Sequence, residues 1–206
     1  MRLFIAINFN DNTKKGLLAL LDELCSHCER GRFSAPENLH LTLAFLGECD
    51  AKQTSAVKAV MDEIKFEPFP ITIERVGRFR RECSKQGVPA KSKDFVGEGT
   101  MTERARFSPL GGNEHVKSIA TWWAGVQESK PLAKLHGDLT DKLISAGFIL
   151  DKRKFNPHIT LGRAIVTNVM PWTVEPFGEI VTSIELMKSE RINGKLTYTA
   201  IYDRKA

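Results

Sequence analysis

One short pattern, an imidazole, an aliphatic residue, a hydroxyl and a leucine, occurs twice in this chain, as His40-Leu41-Thr42-Leu43 and as His158-Ile159-Thr160-Leu161. Both copies sit in apolar stretches, Leu39 to Leu46 and Pro157 to Ile165, that read as strands. On a strand, residues i and i+2 share a face, so each motif aims one His and one Thr the same way while its Leu and Ile neighbours point to the other side. A fold that accommodates both copies needs two equivalent strands with their polar faces turned to a common space. Two such strands facing each other ring a small anion with two imidazoles and two hydroxyls, which suits acid–base chemistry on a phosphate.

The rest of the pattern supplies two similar halves. Leu3 to Ile7 is a short buried strand ended by the polar stretch Asn8 to Thr13, and Leu17, Leu18, Leu20, Leu21 and Leu24 recur at helical spacing to about Cys28. A loop from Gly31 to Asn38 leads into the first motif strand. Ala56, Val57, Val60, Met61 and Ile64 then form a second helical stripe, and Phe69, Ile71, Ile73 and Val76 alternate as a strand. In the other half Thr121 to Val126 is a strand, Leu132, Leu135, Leu139, Leu143 and Ile144 mark a helix, the second motif strand follows, and Ile180 to Met187 and Leu196 to Tyr202 are two further strands. The predicted fold class is α+β: one bilobed domain over 1–206, two pseudo-symmetric lobes of antiparallel sheet with helices packed outside and a cleft between them. At 206 residues the chain is long enough to bury a core without metal or disulfide staples.

Periodicity disappears between Arg80 and Ser118, where eight Lys/Arg stand against five Asp/Glu. This segment reads as an irregular basic insertion whose charge suits contact with an RNA backbone. The chain as a whole carries +5, a balance that favours phosphates and other polyanions. Cys25 and Cys28 have a C-x2-C spacing with His27 between them, but no second pair of that kind follows, and the segment reads as a helix end with reduced, non-ligating thiols. The apolar run after Arg2 is too short for a signal peptide or a membrane span, so a cytoplasmic protein without membrane contact is expected, as a monomer.

Hydrolysis of a phosphodiester requires one group that takes a proton from water and another that gives a proton to the departing oxygen. His40 and His158 suit both tasks, because an unperturbed imidazole titrates near 6.5. The Thr42 and Thr160 hydroxyls are candidates to hold the non-bridging oxygens, on which negative charge builds. Such a scheme calls for no metal and no cofactor. Arg163 is a further candidate phosphate ligand; strict alternation sets it on the opposite face from His158, and a bulge or strand end is needed to return it. Phe45 and Phe155 are candidate stacking surfaces for a base. His27, His115 and His136 lack the Thr partner and are assigned no role.

The segments Glu37 to Glu48 and Asn156 to Arg163 resemble the two signatures of the two-histidine phosphoesterases, and within them the RNA 2′,3′-cyclic phosphodiesterases once called 2′-5′ RNA ligases. The opening Arg2 to Ile7 is similar too, as is Trp122-Trp123-Ala124-Gly125-Val126, so the resemblance spans nearly the whole chain apart from 80–118. It implies an active-site cleft between pseudo-symmetric lobes and hydrolysis of a terminal 2′,3′-cyclic phosphate to a 2′-phosphate. It further implies His40 as proton donor to the 3′-oxygen, His158 as acceptor from water, and a weak, reversible 2′-5′ ligation through a nucleic-acid 5′-hydroxyl. The expected partner is RNA with a 2′,3′-cyclic phosphate end, tRNA fragments included. Two other readings use the same pocket: a phosphodiesterase on small cyclic phosphates or 2′-5′ oligonucleotides, and an RNA- or nucleotide-binding module without turnover.

Overall fold

The computed structural model describes residues 1–80, 118–151 and 153–206. The predicted basic insertion therefore lies almost wholly outside the described residues. Among these are nine strands and three helices: β1 (Arg2–Asn8), α1 (Asp11–Ser26), β2 (Cys28–Phe33), β3 (His40–Glu48), α2 (Ala51–Glu63), β4 (Phe69–Arg80), β5 (Ser118–Val126), α3 (Lys130–Ser145), β6 (His158–Thr167), β7 (Trp172–Val181), β8 (Ser183–Ile192) and β9 (Lys195–Lys205). This is the predicted α+β class. No described helix is long and apolar enough to cross a membrane.

Every strand pairing is antiparallel, and the order across the sheet is β7-β4-β5-β6-β3-β1-β8-β9. The two motif strands, β3 and β6, are the middle pair, with three further strands on either side. They do not oppose each other from separate sheets but lie side by side, bridged at a single position, Leu41 to Ile159. Beyond that bridge the edge of β6 is taken by β2, which pairs with it from Phe33–Gly162 to Cys28–Thr167.

Each helix forms for local reasons and then packs by its stripe. Asn10 caps α1 by accepting from the Thr13 N–H at 2.9 Å, and Ser129 caps α3, which carries Pro131 in its first turn. The start of α2 is a capping box: Asp50 accepts from the Gln53 N–H at 2.7 Å, and Gln53 accepts from the Asp50 N–H at 3.0 Å. Leu17, Leu20 and Leu24 of α1, Val57 and Met61 of α2, and Leu132, Leu135, Leu139 and Leu143 of α3 share one core with Leu3, Ile5 and Ile7 of β1. Phe4 and Ala6, which alternate with them, form a separate small cluster with Met187 and Tyr198 on the other face of the sheet. The helices thus cover one face. Asp50→Ala removes the side-chain half of the box and is expected to cost about 1 kcal/mol of stability, read as a lower urea midpoint with an unchanged slope.

Three features differ from the sequence reading. The first helix stops at Ser26, and Cys28 to Phe33 is a strand rather than the run into a loop. Trp172 to Val181 is also a strand, and the single strand expected over 180–187 is divided at Thr182 between β7 and β8. Pro176 is tolerated because β7 is an edge strand of the sheet among the described residues. The pairing with β4 slips there, between Ile73–Phe177 and Arg75–Thr173, so two extra residues of β7 are accommodated around the proline.

Candidate active site

The face left uncovered by the described helices carries the motif side chains. In both imidazoles Nδ1 faces a backbone carbonyl two residues upstream, that of Asn38 at 2.7 Å for His40 and that of Asn156 at 2.8 Å for His158. A carbonyl only accepts, so Nδ1 carries the proton and donates in each ring, and Nε2 is left as the nitrogen able to take up or release a proton. The two carbonyls are fixed by their surroundings. Asn38 closes a 3-10 turn over Pro36–Asn38, its N–H donating to the Ala35 carbonyl at 2.9 Å and its side-chain amide to the Leu196 carbonyl of β9 at 2.9 Å. Asn156 precedes Pro157, which disfavours helical backbone at that position, and the Pro157 carbonyl accepts from the Val126 N–H at 3.3 Å.

Beyond the shared pattern, the two histidines differ at Nε2. The Thr42 hydroxyl lies 3.0 Å from His40 Nε2 and donates to it when the ring is neutral. Among the described residues the Thr160 hydroxyl has no protein partner, although the Thr160 carbonyl accepts from Ser34 Oγ at 2.6 Å. Thr42→Ala is therefore expected to lower kcat/KM more than Thr160→Ala, because it removes the hydroxyl that fixes His40 in addition to a candidate hydrogen-bond donor to phosphate. Losses of roughly 10- to 100-fold follow from hydrogen bonds to a charged group, with urea midpoints that stay within those of ordinary surface variants. Equal losses would show that the Thr42–His40 bond does not matter.

Arg163 joins this face through a bulge. On β5 Trp123 and Trp122 are consecutive, yet they pair with Thr160 and Gly162 of β6, so Leu161 is the extra residue and alternation is reset. Arg163 then shares a face with Thr160 and His158. A second slip further along leaves Ala164 at φ 53°, in the left-handed region. β3 does the same: Ala6 and Ile5 of β1 pair with Thr42 and Ala44, and Phe45 is returned to the face of Thr42, opposite Phe4. Both motifs therefore present their first, third and sixth residues together, as His40, Thr42 and Phe45 and as His158, Thr160 and Arg163.

The electrostatics agree with this placement. Burial pushes both imidazoles below their ordinary value; the backbone carbonyl partner of each opposes the shift, and the Arg163 guanidinium reinforces it in both. His158 adds to the depression at His40, and Arg153 to that at His158. Arg153 is itself held by Asp151, which accepts from its N–H at 3.0 Å and its Nε at 2.7 Å.

Aromatic rings wall the site. His40 lies 4.9 Å from Phe4 and 5.2 Å, edge to face, from Tyr198; His158 lies 5.2 Å, edge to face, from Phe79 and 6.4 Å from Trp123. Phe45 is 48% exposed, with the Arg2 guanidinium 5.0 Å above its ring, so it keeps a surface on which a base can stack. Phe155 does not join it. Its ring stacks on His136 of α3 at 3.8 Å and packs against the core on the helix side, away from the imidazoles. Phe4, Phe79, Trp123, Tyr198 and Arg2 were not singled out from the sequence. Each lies on another strand, Arg2 and Phe4 on β1, Phe79 on β4, Trp123 on β5 and Tyr198 on β9, and its relation to the motifs exists only once the sheet order is known.

Comparison with known proteins agrees with this architecture. Residues 7–89 match the family model described as LigT like Phosphoesterase. The RNA 2′,3′-cyclic phosphodiesterase of Archaeoglobus fulgidus is 30% identical over 186 residues, covering 87% of this chain and 85% of that protein. The protein of the same name from Escherichia coli K12 is 27% identical over 177 residues, covering 84% and 78%. Among solved structures, E. coli LigT complexed with 3′-AMP superposes with a TM-score of 0.71 at 24% identity over 99% of this chain and 97% of that one. TT0787 of Thermus thermophilus gives 0.68 at 21% identity over 100% and 97%. The shared fold, together with a relative at 30% identity along most of both chains, places this protein in the LigT-like phosphoesterase family.

Proposed function

We propose that the chain is one bilobed phosphoesterase domain that hydrolyses RNA 2′,3′-cyclic phosphate ends to 2′-phosphates by two-histidine acid–base catalysis. The observation that carries this reading is the pair of imidazoles at the centre of the sheet, one from each half, each with Nδ1 tied to a backbone carbonyl and Nε2 not tied to one. The A. fulgidus and E. coli relatives bear the name of this activity. Their substrate is RNA, which fits the +5 balance of this chain.

In the proposed reaction neutral His158 accepts a proton from water as the water oxygen bonds to phosphorus. The bond from phosphorus to the 3′-oxygen breaks, and protonated His40 gives its Nε2 proton to that oxygen. The 2′-oxygen keeps the phosphate. Thr42, Thr160 and Arg163 hold the non-bridging oxygens, where negative charge grows. Arg163 has a second effect, since its charge favours the neutral form of both rings. With a 5′-hydroxyl in place of water, the same groups support 2′-5′ ligation. Phe45, open and topped by Arg2, takes the base of the terminal nucleotide.

The test is hydrolysis of an RNA oligonucleotide that ends in 2′,3′-cyclic phosphate, with EDTA present. Conversion to a 2′-phosphate is the expected result. A 3′-phosphate product reverses the leaving group, and absence of turnover by folded protein leaves the reading without support.

A further inference from the structure

The cation-on-aromatic pair formed by Arg2 and Phe45 beside His40 has a counterpart beside His158. The Arg75 guanidinium lies 5.8 Å from the centroid of the Trp123 ring. Trp123 pairs with Thr160 across the sheet, and its ring is 6.4 Å from that of His158. Two glycines make room for this arrangement. A Cβ at Gly77 would fall 2.3 Å from Trp123 Cη2, and one at Gly125 would fall 2.8 Å from Trp123 Cζ3 and 2.8 Å from Arg75 Cγ and Nε. The indole therefore lies down across Gly77, and the Arg75 side chain passes over Gly125, the residue that separates Arg75 from His158 in register. Glycine inside a strand weakens it and commonly marks a close approach, here that of a flat ring and an arginine stem.

What remains open is suited to a nucleotide. Trp123 is only partly buried, and Phe79 braces it at 5.3 Å. Arg75 is exposed and has no hydrogen-bond or ion-pair partner among the described residues. An aromatic face supports any base by stacking, and a guanidinium beside it meets the phosphate that follows.

Resting on the function proposed above, we infer that Arg75 and Trp123 form a second nucleotide subsite. It takes the nucleotide on the 5′ side of the one bearing the cyclic phosphate, the base on Trp123 and the connecting phosphodiester on Arg75. The enzyme is then built for a chain rather than for a mononucleotide.

The experiment compares kcat/KM for adenosine 2′,3′-cyclic phosphate with that for a diadenylate ending in the same group, in wild type, Arg75→Ala and Trp123→Leu. The readout is the ratio of the two substrates within each protein, which a misfolded fraction does not alter. Wild type is expected to prefer the dinucleotide by roughly 10- to 100-fold, the range of one stacked base, and each variant to bring the ratio towards one. A wild-type ratio near one overturns the subsite. So does a preference that survives in both variants, including the case where they lose activity on both substrates equally. A wild type that turns over neither substrate fails on the parent function and removes the subsite with it.

Discussion

Replacing either His40 or His158 by alanine is expected to lower kcat on RNA with a 2′,3′-cyclic phosphate end by about 10²- to 10⁴-fold, the range of a positioned general acid or base. Both losses follow from one reaction coordinate. Without the base, water attacks with its proton still attached; without the acid, the 3′-oxygen leaves as an alkoxide. Because the two transfers serve the same transition state, the double variant should be only slightly worse than the poorer single one, not the product of both losses. The rings are partly buried and touch Phe4, Tyr198, Phe79 and Trp123, so the substitutions leave space beside aromatic neighbours. Asparagine variants serve as the companion test, since Asn fills part of that space and cannot exchange a proton near neutrality. A folded His158→Asn protein with near wild-type turnover would show that the base lies elsewhere. If His40→Asn alone is spared, the leaving group needs no acid.

What the sequence reveals of this molecule depends on how locally each feature is determined. Apolar periodicity locates β1, α1, α2 and α3 because their buried residues repeat within the element, as with Leu132, Leu135, Leu139 and Leu143. It cannot locate β2, whose sequence Cys28-Glu29-Arg30-Gly31-Arg32-Phe33 has no alternation and whose extended form comes from pairing with β6. It leaves most of β7 unassigned, since Pro176 and Gly178 interrupt any apolar alternation there, and the strand is tolerated at the edge of the sheet. The His and Thr positions are legible from period two alone. Arg163 and Phe45 are not, because a one-residue bulge in each motif strand reverses the alternation just before them. Phe155 lies in an apolar context near the second motif, yet its ring goes to His136 on the helix side. Tyr198 and Trp123 belong to strands remote in sequence, brought beside the imidazoles by the sheet order.

In the proposed reaction Arg163 contributes to the pH dependence as well as holding the anion, although burial is the larger cause of the depression of both imidazoles. The proposed reaction needs one imidazole neutral and the other protonated. Burial and the Arg163 charge depress both in the free enzyme, so that mixed state is most populated below the ordinary imidazole value of about 6.5. The cyclic phosphodiester remains singly charged across this range, so kcat/KM, which reports the free enzyme, is expected to peak on the acid side of 6.5. It should fall as pH rises and the general acid is lost. A bound phosphate favours the protonated rings, and the kcat profile should lie at higher pH. The apparent values belong to the pair, since His158 also acts on His40. Arg163→Gln removes a cation that holds both rings down, so the alkaline limb of kcat/KM should move up in pH. At the optimum kcat/KM should fall about 10- to 100-fold, as for loss of a hydrogen bond to a charged group. These two effects separate the roles of the residue. A shifted profile at full activity would make Arg163 a charge that tunes the imidazoles without holding phosphate. A loss of activity with an unshifted profile would place its guanidinium on the substrate but too far from the imidazoles to govern their protonation.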